Sequence, residues 1–148
     1  MSDTVIHPEE FLGPDGPVSQ SLTNYEPRDE QIKMAGAIHH AFDKSEHLVV
    51  EAGTGVGKSF AYLTSALAQS RKDERKKIVI STYTISLQEQ LIQKDIPFIK
   101  KASGIDFSAV LVKGRNNYLC WRRLQQAQKK GPSLFDNEDY LESLDRIQ

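Results

Sequence analysis

Ala52-Gly-Thr-Gly-Val-Gly-Lys-Ser59, set directly behind the apolar run His47-Leu-Val-Val-Glu51, decides how the rest of this 148-residue chain is read. It reads as a phosphate-binding loop: a buried strand ends, three glycines let the backbone turn tightly, and Lys58-Ser59 opens a helix. Gly53, Gly55 and Gly57 tolerate positive φ and keep Cβ atoms away from an anion. The N–H groups from Ala52 through Thr54 and Val56 to Gly57, with the helix N-terminus behind them, present partial positive charge to phosphates. Lys58 can reach the β- and γ-phosphates, and the Ser59 hydroxyl can ligate Mg²⁺. The usual pattern has glycine six places before the lysine, where this chain has Ala52; the strand–loop–helix context carries the reading instead. The plain alternative is a glycine-rich turn in an ordinary α/β protein.

Outward from the loop, helical spacing of Ile32, Ala35, Ile38 and Phe42 predicts a helix from Asp29. Phe60, Leu63 and Leu67 mark the inner stripe of a second helix reaching about Ser70. The charged run Arg71–Lys77 reads as a solvated turn. Ile78-Val-Ile-Ser-Thr82 and Ser108-Ala-Val-Leu-Val112 read as further strands, apolar enough to be covered on both faces. Ser86-Leu-Gln-Glu89 has capping-box spacing and predicts a short helix closed by Pro97. A last helix is expected from about Tyr118 to Lys130. Residues 1–24, with Gly13-Pro-Asp-Gly-Pro17, read as a flexible lead-in. The fold class expected is α/β, with a parallel sheet that stops after about three strands.

Charge is unevenly spread. Seven acids and one base over residues 1–30 give −6, 17 bases and eight acids over 31–131 give +9, and five acids and one base over 132–148 give −4. A basic middle suits contact with a polyanion. The single cysteine, Cys120, excludes an internal disulfide and makes a cytoplasmic setting the default. The start lacks a signal-peptide pattern, and no apolar run nears the roughly 20 residues that span a bilayer, so no membrane partner is expected.

Three more segments bear on chemistry. In Tyr25-Glu-Pro-Arg-Asp-Glu-Gln31 the Gln31 amide matches the donor–acceptor edge of adenine, and Tyr25 could stack on a base; equally, this is an exposed loop and helix start with Arg28 or Asp29 near the cap. In Ser81–Gln90, Thr82, Thr84, Ser86 and Gln88 offer hydroxyls and amides to the phosphates of a single strand; Thr84 or Ser86 as a plain cap explains them too. From Lys113 to Lys130 there are six bases and no acid. Lys113, Arg115, Asn117, Tyr118 and Trp121 there suit single-stranded nucleic acid, unless Trp121 is only a core anchor on a surface helix.

Arg28 and Gln31, Glu51–Ser59, Ser81–Leu91 and Lys113–Cys120 resemble, in order and spacing, the start of the DinG-like helicases, which group with the XPD-type superfamily 2 DNA helicases. The resemblance covers residues 25 to about 124. It implies the first part of a RecA-like motor domain over residues 25–131 and ATP-driven 5′→3′ movement on single-stranded DNA. It assigns Arg28 and Gln31 to adenine, residues 52–59 to triphosphate and Mg²⁺, and residues 81–91 to DNA. In iron–sulfur members the cysteine matching Cys120 is the first of four ligands of a 4Fe–4S cluster; here it is alone, and such a cluster needs four thiolates.

Hydrolysis of this type also needs an acid on another strand to hold Mg²⁺ and orient water, and no run of four apolar residues is followed by Asp-Glu. His7, His39, His40 and His47 lack metal-ligand spacing. Residues 132–148 are expected to begin an incomplete inserted region. The functions left standing are the ATP-binding N-terminal portion of a helicase, a catalytically inactive nucleotide- and nucleic-acid-binding module, and, least well, a small nucleotide kinase. Oligomeric state is open.

Overall fold

In the computed structural model, which describes residues 5–73, 75–134 and Arg146, the regular elements are helical and no strand forms among the described residues. This overturns the expected parallel sheet. Residues 47–51, 78–82 and 108–112 lie outside any helix, but no ladder joins them. Val49, Val79 and Val110 are 96%, 87% and 82% exposed. A parallel strand is stable only when paired along its edges and covered on both faces. The apolarity of these segments states a need for cover, and the helices within this stretch pack mainly on one another.

The chain divides into two compact units, Met1–Val110 and Leu111–Gln148. In the first, α1 (Pro8–Phe11) and α2 (Pro17–Ser21) each begin on a proline, which tolerates the first helical turn because its missing N–H has no partner there anyway. Phe11, Leu12 and Val18 are buried, so part of the segment read as a flexible lead-in is packed, between Ile6 and Val18, while residues 20–24 are exposed. Fully burying one such aliphatic side chain contributes about 1.5–3 kcal/mol.

Helix α3 (Asp29–Lys44) starts with two acids against the positive end of its dipole. It stops where Ser45 turns left-handed at φ 55°, letting Glu46 N–H reach Ala41 O at 2.9 Å and Ser45 N–H reach Phe42 O at 3.3 Å. Helix α4 (Lys58–Lys72) packs along it. Ala35, Ala61 and Ser65 are fully buried, so small residues let the two backbones approach closely. The Ser65 hydroxyl lies 2.9 Å from both Ala35 O and Ala61 O, fastening α4 to α3. Around this pair gather Ile6, Leu12, Leu63, Leu67, Leu91 and Ile99.

After the exposed residues 79–81, Thr84 caps α5 (Ile85–Gln90) by accepting from Leu87 N–H at 3.4 Å. Pro97 does not close this helix. One wide π-type turn, Leu91–Asp95, leads straight into α6 (Ile96–Ser103), and Pro97 falls in the first turn of α6, where a missing donor costs least.

The second unit contains a 3₁₀ turn, Arg115–Asn117, and α7 (Trp121–Leu134). Its last helix thus starts three residues later than the expected Tyr118. Beyond Leu134 the acidic tail, Arg146 apart, lies outside the described residues.

Candidate phosphate and nucleic-acid sites

The glycine-rich residues 52–57 lead into the N-terminus of α4, without the strand expected ahead of them. Gly55 and Gly57 adopt φ +82° and +85°, which disfavour any side chain, whereas Gly53 shows no positive φ and has open space where a Cβ would be. Two of the three glycines are therefore required by backbone conformation. Gly57 is the N-cap of α4, and its carbonyl accepts from Phe60 N–H at 3.1 Å and Ala61 N–H at 3.3 Å.

Lys58 folds back on its own loop. Its ammonium donates to Ala52 O at 3.0 Å and Gly53 O at 2.7 Å. Thr54 is exposed and Val56 half-buried. Ser59, half-buried, lies one turn before Tyr62 on α4. Burial raises the Tyr62 pKa, the Ser59 hydroxyl offsets part of that rise, and the charge of Asp95 adds to it.

Gln31 sits where its sequence position gives no hint. It is 3% exposed, and its Nε2 donates to Gly57 O at 2.9 Å. A carbonyl only accepts, which fixes the amide orientation: Oε1 must face the Tyr25 hydroxyl, 2.8 Å away. The same hydroxyl lies 2.9 Å from Leu12 O. Tyr25 is thereby tied to the loop through Gln31, and burial raises its pKa, with exposed Arg28 close enough to lower it in part. The structure brings Gln31 to the loop and Tyr25 to Gln31, leaves Arg28 exposed, and turns the Gln31 amide inward to backbone rather than outward to a base edge.

A cavity of about 350 Å³ lies between α3 and the loop. Lys33, Met34 and Ala37 line one side, Ala52, Gly53 and Val56 the other. That volume is within the range of small-molecule sites. Lys33 and Met34 were not foreseen; the available signal was their position two and three residues beyond Gln31, on a helix running beside the loop.

Of the hydroxyl and amide residues after the second apolar run, Thr84 is the helix cap, Ser86 is exposed, and Thr82 and Gln88 are half-buried. Tyr83 is wholly exposed. In the second unit, Lys113 N–H donates to the Tyr118 hydroxyl at 2.8 Å and Asn117 Nδ2 donates to Gly114 O at 3.2 Å, folding residues 113–118 into a tight turn. Arg115 is exposed. Tyr118 is 54% and Trp121 59% exposed, so Trp121 is not a core anchor. Cys120 is exposed. No group of three or more His, Cys, Asp or Glu that could hold a metal occurs among the described residues, and no helix among them is long and apolar enough to cross a membrane.

Comparison with known proteins gives this geometry a context. The profile of the DEAD/DEAH box helicase family matches residues 31–135. The ATP-dependent DNA helicase YoaA of Escherichia coli strain K12 is 43% identical over 123 residues, which is 83% of this chain and 19% of that protein. The ATP-dependent helicase DinG of Mycobacterium tuberculosis strain H37Rv is 43% identical over 104 residues, covering 68% of this chain and 16% of that protein. The 3'-5' exonuclease DinG of Bacillus subtilis strain 168 is 33% identical over 119 residues, 80% of this chain and 13% of that protein. The chain thus spans a fifth or less of the length of these relatives. No solved structure matches it.

Proposed function

Because the chain belongs to the DEAD/DEAH box helicase family, we propose that it carries the ATP-binding N-terminal portion of an ATP-dependent DNA helicase of the DinG and YoaA kind. The observation that carries this reading is the loop whose two left-handed glycines set Lys58 and Ser59 at a helix N-terminus. Residues 52–59 hold the triphosphate, with Lys58 leaving its two carbonyls to neutralise charge on the γ-phosphate, a stronger acceptor. Ser59 contributes a ligand to Mg²⁺. Tyr25, Arg28 and Gln31 serve the adenine end. Thr82, Thr84, Ser86 and Gln88, and separately Lys113, Arg115, Asn117 and Tyr118, contact single-stranded DNA, along which the complete motor moves 5′→3′ in the cytoplasm.

Mg²⁺ fits the donors present: a serine hydroxyl beside phosphate oxygens is a hard-oxygen site. A 4Fe–4S cluster does not fit this stretch, since Cys120 supplies one thiolate of four, and no step involves it.

A second reading is a nucleotide- and nucleic-acid-binding module without turnover. The two are separated by measuring binding and turnover together. The chain should bind Mg·ATP, and Lys58→Ala should weaken that binding by ~10-fold or more, the loss of roughly one charge-assisted contact. Unchanged affinity in Lys58→Ala would sink the site assignment. The isolated chain is expected to show no DNA-stimulated hydrolysis; stimulated hydrolysis that Lys58→Ala abolishes would reject the module reading.

A further inference from the structure

The half-buried Tyr25 stands between the N-terminal segment and Gln31 with fewer protons than its neighbours demand. Its hydroxyl lies 2.9 Å from Leu12 O and 2.8 Å from Gln31 Oε1. Both are acceptors, because Gln31 Nε2 is committed to Gly57 O, and a phenol carries one proton. The two bonds therefore compete, and whichever acceptor loses is left wanting in a part-buried place, which costs free energy. The other end of Gln31 has a surplus. Gly57 O accepts from Phe60 N–H and Ala61 N–H as well as from Gln31, three donors on a carbonyl with two lone pairs. The segment beyond Tyr25 is itself docked. Helix α1 packs on α3 and α4, and α2 packs on α6. The Glu9 carboxylate lies against Gly36 of α3, where any Cβ would collide with it.

We propose that Tyr25 is a positioning residue whose single proton couples the base-binding end of the site to the docking of residues 6–18. The proposal rests on the reading of Gln31 as an adenine contact. When the Gln31 amide turns from Gly57 O to a base edge, its Oε1 withdraws from the phenol. Gly57 O keeps its two backbone donors, and Tyr25 gives its proton to Leu12 O undivided. The N-terminal segment is then held more tightly with the base bound than without it. By reciprocity, a firmly docked segment favours the outward amide and so the base. A phosphate chain that engages the loop without a base leaves the competition for the proton as it was.

The test compares ADP with inorganic tripolyphosphate, which has phosphates and no base, on the unaltered chain by NMR. The amides of Phe11, Leu12 and Gly13 close α1. Their hydrogen exchange, taken relative to the amides of α6, should slow roughly 2- to 10-fold with ADP, the worth of one net hydrogen bond. Tripolyphosphate should leave that ratio unchanged. Gly55 and Gly57 amides should shift with both ligands, whereas the Gln31 side-chain amide protons and the Tyr25 Cζ resonance, which reports what the phenol donates to, should shift with ADP alone. In Tyr25→Phe the ADP effect on α1 should vanish. Equal slowing by both ligands, or a Gln31 response without slowing in α1, overturns the coupling and leaves the adenine contact standing. If the glycines respond to ADP and Gln31 does not, the adenine contact fails and takes the coupling with it. These decisions use only the unaltered chain, so a variant that fails to fold does not remove them.

Discussion

Gly57 is constrained twice, by its own backbone and by a side chain from another helix. At φ +85° any Cβ is strained, and here it would also run into Gln31 Nε2. Gly57→Ala should cost about 1–3 kcal/mol and lower the melting temperature, whereas Gly53→Ala, with open space and no positive φ, should leave stability unchanged. A thermal melt of both variants checks the contrast. Gln31→Ala should cost about 1–3 kcal/mol by removing buried hydrogen bonds. Gln31→Glu should be worse than Gln31→Asn, because an ionised carboxylate would face Gly57 O with no proton to give. Tyr25 adds a pH signature. Burial holds the folded-state pKa above the ordinary tyrosine value, and Arg28 offsets part of the rise. The neutral phenol is therefore the form favoured by folding. Its contribution is full below the unfolded pKa of about 10 and is lost as pH rises through the higher folded value. Phenolate absorbance of the wild type against Tyr25→Phe should show one tyrosine titrating late; simultaneous titration of all tyrosines would refute this. The glycine–lysine–serine pattern was legible because it is local. The Gln31–Gly57 bond was not, since a contact between residues 26 apart leaves no mark on spacing.

Helix α4 is defined by the face it gives to α3. Ser65 is fully buried and bonded to carbonyls of both helices. Ser65→Ala keeps the close approach and should cost about 0.5–1.5 kcal/mol, the net value of such a bond. Ser65→Leu must push the helices apart and should cost about 1–3 kcal/mol or more; denaturant unfolding that ranks Leu no worse than Ala would contradict the packing described. Helices α3 and α4 were legible to within a few residues because Ile32, Ala35, Leu63 and Leu67 keep a period near 3.6. The α5 boundary was displaced, with Thr84 rather than Ser86 as cap, since both offer a hydroxyl. Pro97 misled for a physical reason: proline ends a helix from its interior but starts one comfortably, and a π-type turn just before it changes which of the two it does.

For the molecule as a whole, the apolar runs read as buried strands are neither paired nor covered. Leu48, Val49 and Val50, like Val79, Ile80, Val110 and Val112, were identified as surfaces that want cover, yet they are largely exposed. Sequence shows which segments resist water; it does not show whether neighbours within the same stretch can reach them. Exposed extended runs of this kind are prone to edge-to-edge association. Val49→Lys and Val79→Lys together should therefore reduce concentration-dependent light scattering without lowering the melting temperature, because neither side chain contributes to the core. Scattering unchanged by both charges would show that the association lies elsewhere.

The inward fold of Lys58 has a consequence for every affinity measured on this chain. The carbonyls of Ala52 and Gly53 are tethered competitors for the lysine: they already hold its ammonium, and an incoming phosphate must displace intramolecular partners that never diffuse away. Each 1.4 kcal/mol of that self-binding weakens the apparent affinity about tenfold. If the loop binds as proposed, weakly charged ligands would lose this contest and polyphosphates win it, and the latch would select by charge.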